Sequence, residues 1–150
     1  MVALKRILLA EDDSKDVELT LSALAEYNLA NEIVVARDGV EALDYLYRRG
    51  IFAGRPEGNP VVILLDLKMP KLDGIEVIKQ IKADPQLSLI PIVILTSSRE
   101  VRDLEQAYAL GVNAYVVKPV HFGEFVKAVK EIGVFWAIIN EPPPISLHKT

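Results

Sequence analysis

Acidic, hydroxyl and ammonium side chains recur in this chain directly after short apolar runs. Glu11, Asp12 and Asp13 follow RILLA, Asp66 follows VVILL, Thr96, Ser97 and Ser98 follow IVIL, and Lys118 and Pro119 follow AYVV. If the first and third runs are neighbouring strands, at least three carboxylates converge, with a hydroxyl and an ammonium alongside. Clustered carboxylates raise one another's pKa, so a site that keeps them ionised at neutral pH needs a cation. Mg2+ meets that need, because it is hard, takes oxygen ligands, keeps several waters and is held by one or two carboxylates with phosphate oxygens. A carboxylate beside Mg2+ can attack phosphorus and form an aspartyl phosphate. Lys118 would then neutralise phosphoryl charge, and Thr96 would donate a hydrogen bond to a phosphoryl oxygen.

Strand-to-helix turns also carry Asp, Ser and Thr simply as helix caps. Asp13, Asp38, Asp73 and Ser97 read as caps. Asp38 with Glu41, Asp73 with Glu76 and Ser97 with Glu100 each have the spacing of a capping box. Asp66 escapes that explanation, since residues 67–72 delay the next helix until Asp73, which can cap it. Lys118 follows AYVV and precedes a proline, an odd place for a solvated charge.

The elements that must position these groups are legible as an alternation of short β-branched runs with longer amphipathic ones, the pattern of a βαβ series with a parallel sheet. Five strands are expected, at 6–10, 32–36, 61–65, 92–95 and 114–117. The third and fourth are apolar throughout, as strands covered on both faces should be, whereas the polarity of 32–36 suits an edge. Helical spacing joins Val17, Leu21 and Leu24; Val40, Leu43 and Leu46; Ile75, Ile78 and Ile81; Val101, Leu104 and Tyr108; and Phe122, Phe125, Val126, Val129, Ile132 and Trp136. Asp84-Pro85 and Gly111 are sensible stops. In an open α/β sheet, ligands bind beyond the carboxyl ends of the strands where the strand order reverses. The groups named above all fall there.

Two segments read as irregular: a long Gly- and Pro-containing loop at 48–60 and a tail at 141–150, whose Pro142-Pro143-Pro144 favours an extended polyproline conformation. A solvated loop and frayed tail, or contacts with a partner, are the two readings of each.

Composition bounds the rest. The 150 residues include 17 Lys plus Arg, 21 Asp plus Glu, 51% hydrophobic residues and no Cys, with a formal charge of −4. A chain of this size folds as one domain without a disulfide or metal. The dispersed basic residues argue against a nucleic-acid face. Absence of Cys removes thiol nucleophiles, thiolate zinc sites and iron–sulfur ligation, and His121 and His148 cannot form a metal cluster by themselves. The longest apolar runs are far shorter than the roughly 20 residues that span a bilayer. Acids interrupt the N-terminal run before a signal-peptide core can form, so a cytoplasmic protein without membrane contact is expected.

Four stretches in order, ILLAEDD, VILLDLKMPKLDG, VILTSS and AYVVKP, resemble the receiver domains of bacterial two-component response regulators over nearly the whole chain. The resemblance implies a flavodoxin-like (βα)5 three-layer sandwich with a parallel sheet of order 2-1-3-4-5, and a phosphoryl group received from a histidine kinase. By position, Asp66 resembles the phosphoacceptor, and Glu11 and Asp12 resemble the acidic pair that binds Mg2+, with the carbonyl of Lys68 completing the protein ligands. Thr96 is similar to the switch hydroxyl, Tyr115 to the aromatic switch, and Lys118 to the family's lysine, followed by Pro119 with an expected cis peptide bond. Lys68 and Ser98, two positions beyond Asp66 and Thr96, are expected to tune the lifetime of the phosphoryl group. Glu11 departs from the Asp of many members, yet its longer arm should still reach a metal-bound water. The 48–60 loop and the aromatic Phe135-Trp136 resemble regulators associated with bacterial phytochrome kinases.

The resemblance assigns 1–140 to the receiver and 141–150 to a tail, with no effector domain. The protein is therefore expected to signal rather than to turn over a substrate, catalysing only its own phosphorylation and dephosphorylation. Phosphorylation would draw Thr96 toward the phosphoryl group and let the Tyr115 ring fill the vacated space, remodelling helix 4, strand 5 and helix 5. Phe135, Ile138 and Ile139 lie beyond the core stripe of the last helix, which suggests a homodimer through that same surface. Competing readings are a haloacid-dehalogenase-like phosphatase, whose D-x-D-x-[TV] motif is replaced here by Glu11-Asp12-Asp13-Ser14-Lys15, and a dinucleotide binder, for which no G-x-G-x-x-G follows a strand. A receiver fold that docks partners without being phosphorylated is the third.

Overall fold

The computed structural model describes residues 6–25, 32–97 and 101–131. Its strands are β1 (Arg6–Ala10), β2 (Glu32–Ala36), β3 (Val62–Asp66), β4 (Ile92–Thr96) and β5 (Ala114–Val117). Between them run α1 (Ser14–Ala25), α2 (Gly39–Tyr47), α3 (Gly74–Ala83) and α4 (Val101–Ala109), and α5 (Phe122–Glu131) follows β5. All pairings are parallel and the order is β2-β1-β3-β4-β5, as the flavodoxin-like expectation requires. The order reverses at β1, whose carboxyl end lies beside that of β3.

Successive strand residues point to opposite faces, and the sheet divides its apolar side chains accordingly. Leu8, Ile63, Leu65 and Ile94 pack under α2, α3 and α4 through Leu43, Ile78 and Ala107. Ile7, Leu9, Leu64 and Leu95 pack on the other face with Val17 and Leu24 of α1 and Phe125 and Val129 of α5. Every residue of β3 and β4 is buried, while most of β2 is only partly covered, so the sheet centre and its edge lie where polarity placed them. Among the described residues no helix is long and apolar enough to cross a membrane.

Three details differ from the sequence reading. β3 and β4 each run one residue further, so that Asp66 and Thr96 are ladder residues, paired in register with Leu95 and Val117. Side-chain polarity does not end a strand when the backbone can keep its hydrogen bonds. Val40 and Tyr108 are 41% and 42% exposed rather than in the core, because α2 turns Ala42, Leu43, Tyr45 and Leu46 inward and α4 turns Ala107. The 48–60 loop is held by side-chain contacts, those of Arg55 the most numerous. Its 3-10 turn, Gly50–Phe52, sets Phe52 edge-on to Tyr45 at 5.1 Å. The Arg55 guanidinium stacks 4.0 Å above the Tyr45 ring and donates to the carbonyls of Tyr45, Pro56 and Gly58. Ile132, Phe135, Trp136, Ile138, Ile139 and the 141–150 tail lie outside the described residues, as do Ser98 and Glu100.

Helix starts sit close to the carboxyl edge. Asp13 accepts from the amides of Lys15 and Asp16 at 2.8 and 3.1 Å. Asp38 accepts from Glu41 N at 2.8 Å and Asp73 from Glu76 N at 3.0 Å, so these three Asp are caps as expected. The return half of the Asp38 box goes to the amide of Arg37 instead of the cap's own. At the head of α3, a Cβ on Gly74 would lie 2.6 Å from the Asp66 carbonyl oxygen and 2.7 Å from Leu67 Cα. Backbone on both sides leaves no room to yield. Gly74→Ala should therefore lower the free energy of unfolding by about 1–3 kcal/mol, read as a lower urea midpoint. Gly123→Ala in α5, where nothing lies within 4 Å of the added methyl, should leave stability unchanged or raise it by up to about 1 kcal/mol.

Candidate functional site

The carboxyl ends of β1, β3, β4 and β5 enclose a cleft of about 230 Å3 lined by Glu11, Asp12, Asp16, Asp66, Thr96 and Lys118, among others. β1 ends at Ala10, but Glu11 continues its line by donating its amide to Ala36 O at 2.9 Å. The Glu11 side chain is thereby carried inward and is fully buried. Asp12, next along, is exposed. Asp66, at the end of β3, is 5% exposed, and the three residues offer carboxylate oxygens within 4.8 Å of one another. The convergence expected from neighbouring first and third strands is present.

Lys118 Nζ reaches into this group. It donates to Glu11 Oε1 at 2.9 Å and to Asp16 Oδ2 at 3.1 Å, and lies 3.4 Å from Asp66 Oδ2. Its backbone is fixed from β4, since Lys118 N donates to Thr96 O at 2.8 Å. The peptide bond to Pro119 is cis, as expected. The second Glu11 oxygen accepts from Asp13 N at 3.2 Å. Burial pushes the Glu11 carboxyl up to about 7; the Lys118 hydrogen bond opposes that push and Asp66 adds to it. Burial alone would lower the Lys118 ammonium, but Glu11, Asp66 and Asp16 outweigh it and hold the group above the ordinary lysine value.

The remaining predicted residues flank the cleft. Thr96 is buried and its hydroxyl donates to Ser97 O at 2.9 Å. The amide of Lys68 donates to Asp66 Oδ1 at 3.3 Å, and its ammonium pairs with Asp103 of α4 at 3.2 Å. Tyr115 is 45% exposed and meets Tyr108 edge-on at 6.3 Å. These two rings border a larger cleft, about 340 Å3, with charged residues of α5 on its rim. Among the described clefts only the smaller one gathers more than two acidic side chains around a lysine, which makes it the candidate site.

Sequence reasoning missed two contacts. Asp16 and Asp103 each stand in the first turn of a helix, where an acid is unremarkable because it complements the helix dipole. Their partners, Lys118 and Lys68, are distant in sequence, and no local signal marks either pair.

The response regulator receiver domain family matches residues 7–130. Response regulator Rcp1 of Synechocystis sp. is 39% identical over 132 residues, 88% of each chain, and the structure of its Mn(2+)-bound form superposes with a TM-score of 0.71, covering 88% of this chain and 94% of that one. The bacteriophytochrome response regulator AtBRR is 58% identical with a TM-score of 0.85, covering 93% of this chain and 100% of that one. RtBRR, a second bacteriophytochrome response regulator, is also 58% identical, with a TM-score of 0.84, covering 97% and 88%. A match that runs from β1 into α5, on a sheet of this order, makes the chain a member of the response regulator receiver domain family of two-component signalling.

Proposed function

We propose that the domain accepts a phosphoryl group on Asp66 in a Mg2+-dependent reaction and signals through the surface of α4, β5 and α5. One observation carries this reading: Glu11, Asp12 and Asp66 offer oxygens within 4.8 Å of one another, with Lys118 Nζ 3.4 Å from Asp66. The donor set suits a hard divalent ion. It consists of oxygens alone, and buried Glu11 resists ionisation unless positive charge is near. Asp12, Asp66 and the Lys68 carbonyl would hold Mg2+ directly, and Glu11 through a bound water. When bound, the ion neutralises charge between the carboxylate and the incoming phosphoryl oxygens.

The chain's own groups supply the rest. An Asp66 oxygen attacks phosphorus, forming an acyl phosphate as the bond to the donor's leaving group breaks. The Lys118 ammonium meets a phosphoryl oxygen, for which it is already charged and close. The Thr96 hydroxyl, now bonded to the Ser97 carbonyl, turns to donate to another. That movement opens space into which the Tyr115 ring can swing from its exposed position, and differential binding of the phosphoryl group sets how far the population shifts. Lys68 and Ser98 tune the lifetime of the acyl phosphate; pairing with Asp103 ties Lys68 to α4.

Receiver domains take their phosphoryl groups from histidine kinases, and likeness to bacteriophytochrome response regulators supports a phytochrome-type kinase as the donor. The exposed Tyr108 and Tyr115 beside the 340 Å3 cleft support a homodimer through α4, β5 and α5. The reading assigns 1–140 to the receiver and 141–150 to a tail, places the protein in the cytoplasm, and gives it no turnover beyond its own phosphorylation.

Intact-protein mass after incubation with Mg2+ and acetyl phosphate should rise by one phosphoryl group. Asp66→Asn or a chelator should abolish the gain while circular dichroism stays that of the folded protein; no gain in the folded wild type would instead favour a docking module that works without phosphorylation. Lys118→Ala should retain Mg2+ binding by titration but lose most of the phosphorylation-dependent change in Tyr115 exposure to solvent. Light scattering should show a mass that rises with concentration toward a dimer, and a mass of one chain at every concentration removes the homodimer.

A further inference from the structure

Lys118 has three N–H donors and three carboxylates around it, at 2.9 Å (Glu11), 3.1 Å (Asp16) and 3.4 Å (Asp66). These partners are not equivalent. Glu11 and Asp66 belong to the group of oxygens that can surround a cation, and Asp66 gives up its carboxylate charge on becoming an acyl phosphate. Asp16 stands outside that group, on the first turn of α1, with its side chain 30% exposed. Its backbone is held in turn, because Asp16 N donates to the capping carboxylate of Asp13 at 3.1 Å.

We propose that Asp16 is a positioning residue that keeps the Lys118 ammonium at the mouth of the cleft once Glu11 and Asp66 have turned to Mg2+ and the phosphoryl group. Without a cation, three partners share the ammonium, and Glu11 and Asp66 still hold it when Asp16 is lost. With the cation bound, Glu11 and Asp66 divide their charge between two positive centres, and Asp16 remains the one carboxylate given wholly to Lys118. Its hold keeps the ammonium in place while the N–H groups shared with Glu11 and Asp66 turn toward an incoming phosphoryl oxygen. The lysine is thus oriented before the donor arrives, which lowers the reorganisation needed in the transfer step.

This inference rests on the reading of Lys118 as the group that meets the phosphoryl oxygens, and two readouts keep the claims separable. The first is the rate at which Lys118 is acetylated by an amine-reactive reagent, measured by peptide mass spectrometry on the full chain with and without saturating Mg2+. Wild-type Lys118 should react slowly in both. In Asp16→Asn it should react slowly without Mg2+ and about threefold or more faster with it, the scale of one lost charge-assisted hydrogen bond at a partly exposed site. The second is phosphorylation by acetyl phosphate, whose maximal rate at saturating donor and Mg2+ should fall about three- to tenfold in Asp16→Asn, with unchanged Mg2+ affinity and substantial recovery in Asp16→Glu. Absence of phosphorylation in the wild type overturns the functional reading, while the acetylation arm still decides the role of Asp16. Asp16→Asn matching the wild type in acetylation with Mg2+ overturns the inference, as does a drop in melting temperature with faster acetylation whether or not Mg2+ is present, which marks a purely structural contact.

Discussion

One ammonium among three carboxylates, two of them buried, governs how the carboxyl edge of this sheet is built. An ionised carboxylate removed from water is strongly disfavoured unless paired and hydrogen-bonded, and removing one partner of such a pair typically costs about 3–5 kcal/mol. Glu11, with no exposed surface, satisfies the requirement through Lys118 on one oxygen and the amide of Asp13 on the other. Asp66 does so through Lys118 and the amide of Lys68. The charges compensate one another in a place that is also open enough, through exposed Asp12, to admit a further cation.

The sheet order makes this compensation possible. With β1 flanked by β2 and β3, the residues that follow β1 and end β3 stand side by side, and β5 returns Lys118 from the far edge across the end of β4. The bond from Lys118 N to the Thr96 carbonyl links the lysine's backbone to the residue that bears the buried hydroxyl. Division of labour among the acids completes the arrangement. Asp13 and Asp73 cap α1 and α3, which leaves Asp66 free of any capping duty, and Gly74 lets α3 begin against the Asp66 carbonyl. Lys68 and Asp103 connect the loop after β3 to α4, so the same loop that borders the cleft is tied to a helix on the other side of it.

Much of the fold was readable from pattern alone. Runs such as VVILL and IVIL mark central strands because only a doubly covered strand can be apolar on both faces. Pattern erred where it used polarity as a boundary: Asp66 and Thr96 belong to their strands, since a ladder depends on backbone groups. It erred again at Val40 and Tyr108, which fit a helical stripe yet face outward, because several stripes of similar hydropathy compete on a short helix and the neighbouring sheet selects one. The 48–60 loop, irregular by composition, is held by the stack and hydrogen bonds of Arg55, contacts that composition does not encode.

By itself, the sequence determined the alternation of elements, the caps at Asp13, Asp38 and Asp73, the absence of thiol chemistry, and the candidacy of Glu11, Asp12, Asp66, Thr96 and Lys118, since each of these follows from residue type and local spacing. Only the tertiary structure decided which carboxylates share the ammonium, that Asp16 is one of them, that Glu11 is buried while Asp12 is exposed, and that Lys68 pairs with α4. The reason is physical. Residue type and spacing act over a few positions along the chain, whereas pairing between groups 107 and 102 residues apart depends on strand order and on the depth to which each side chain is carried.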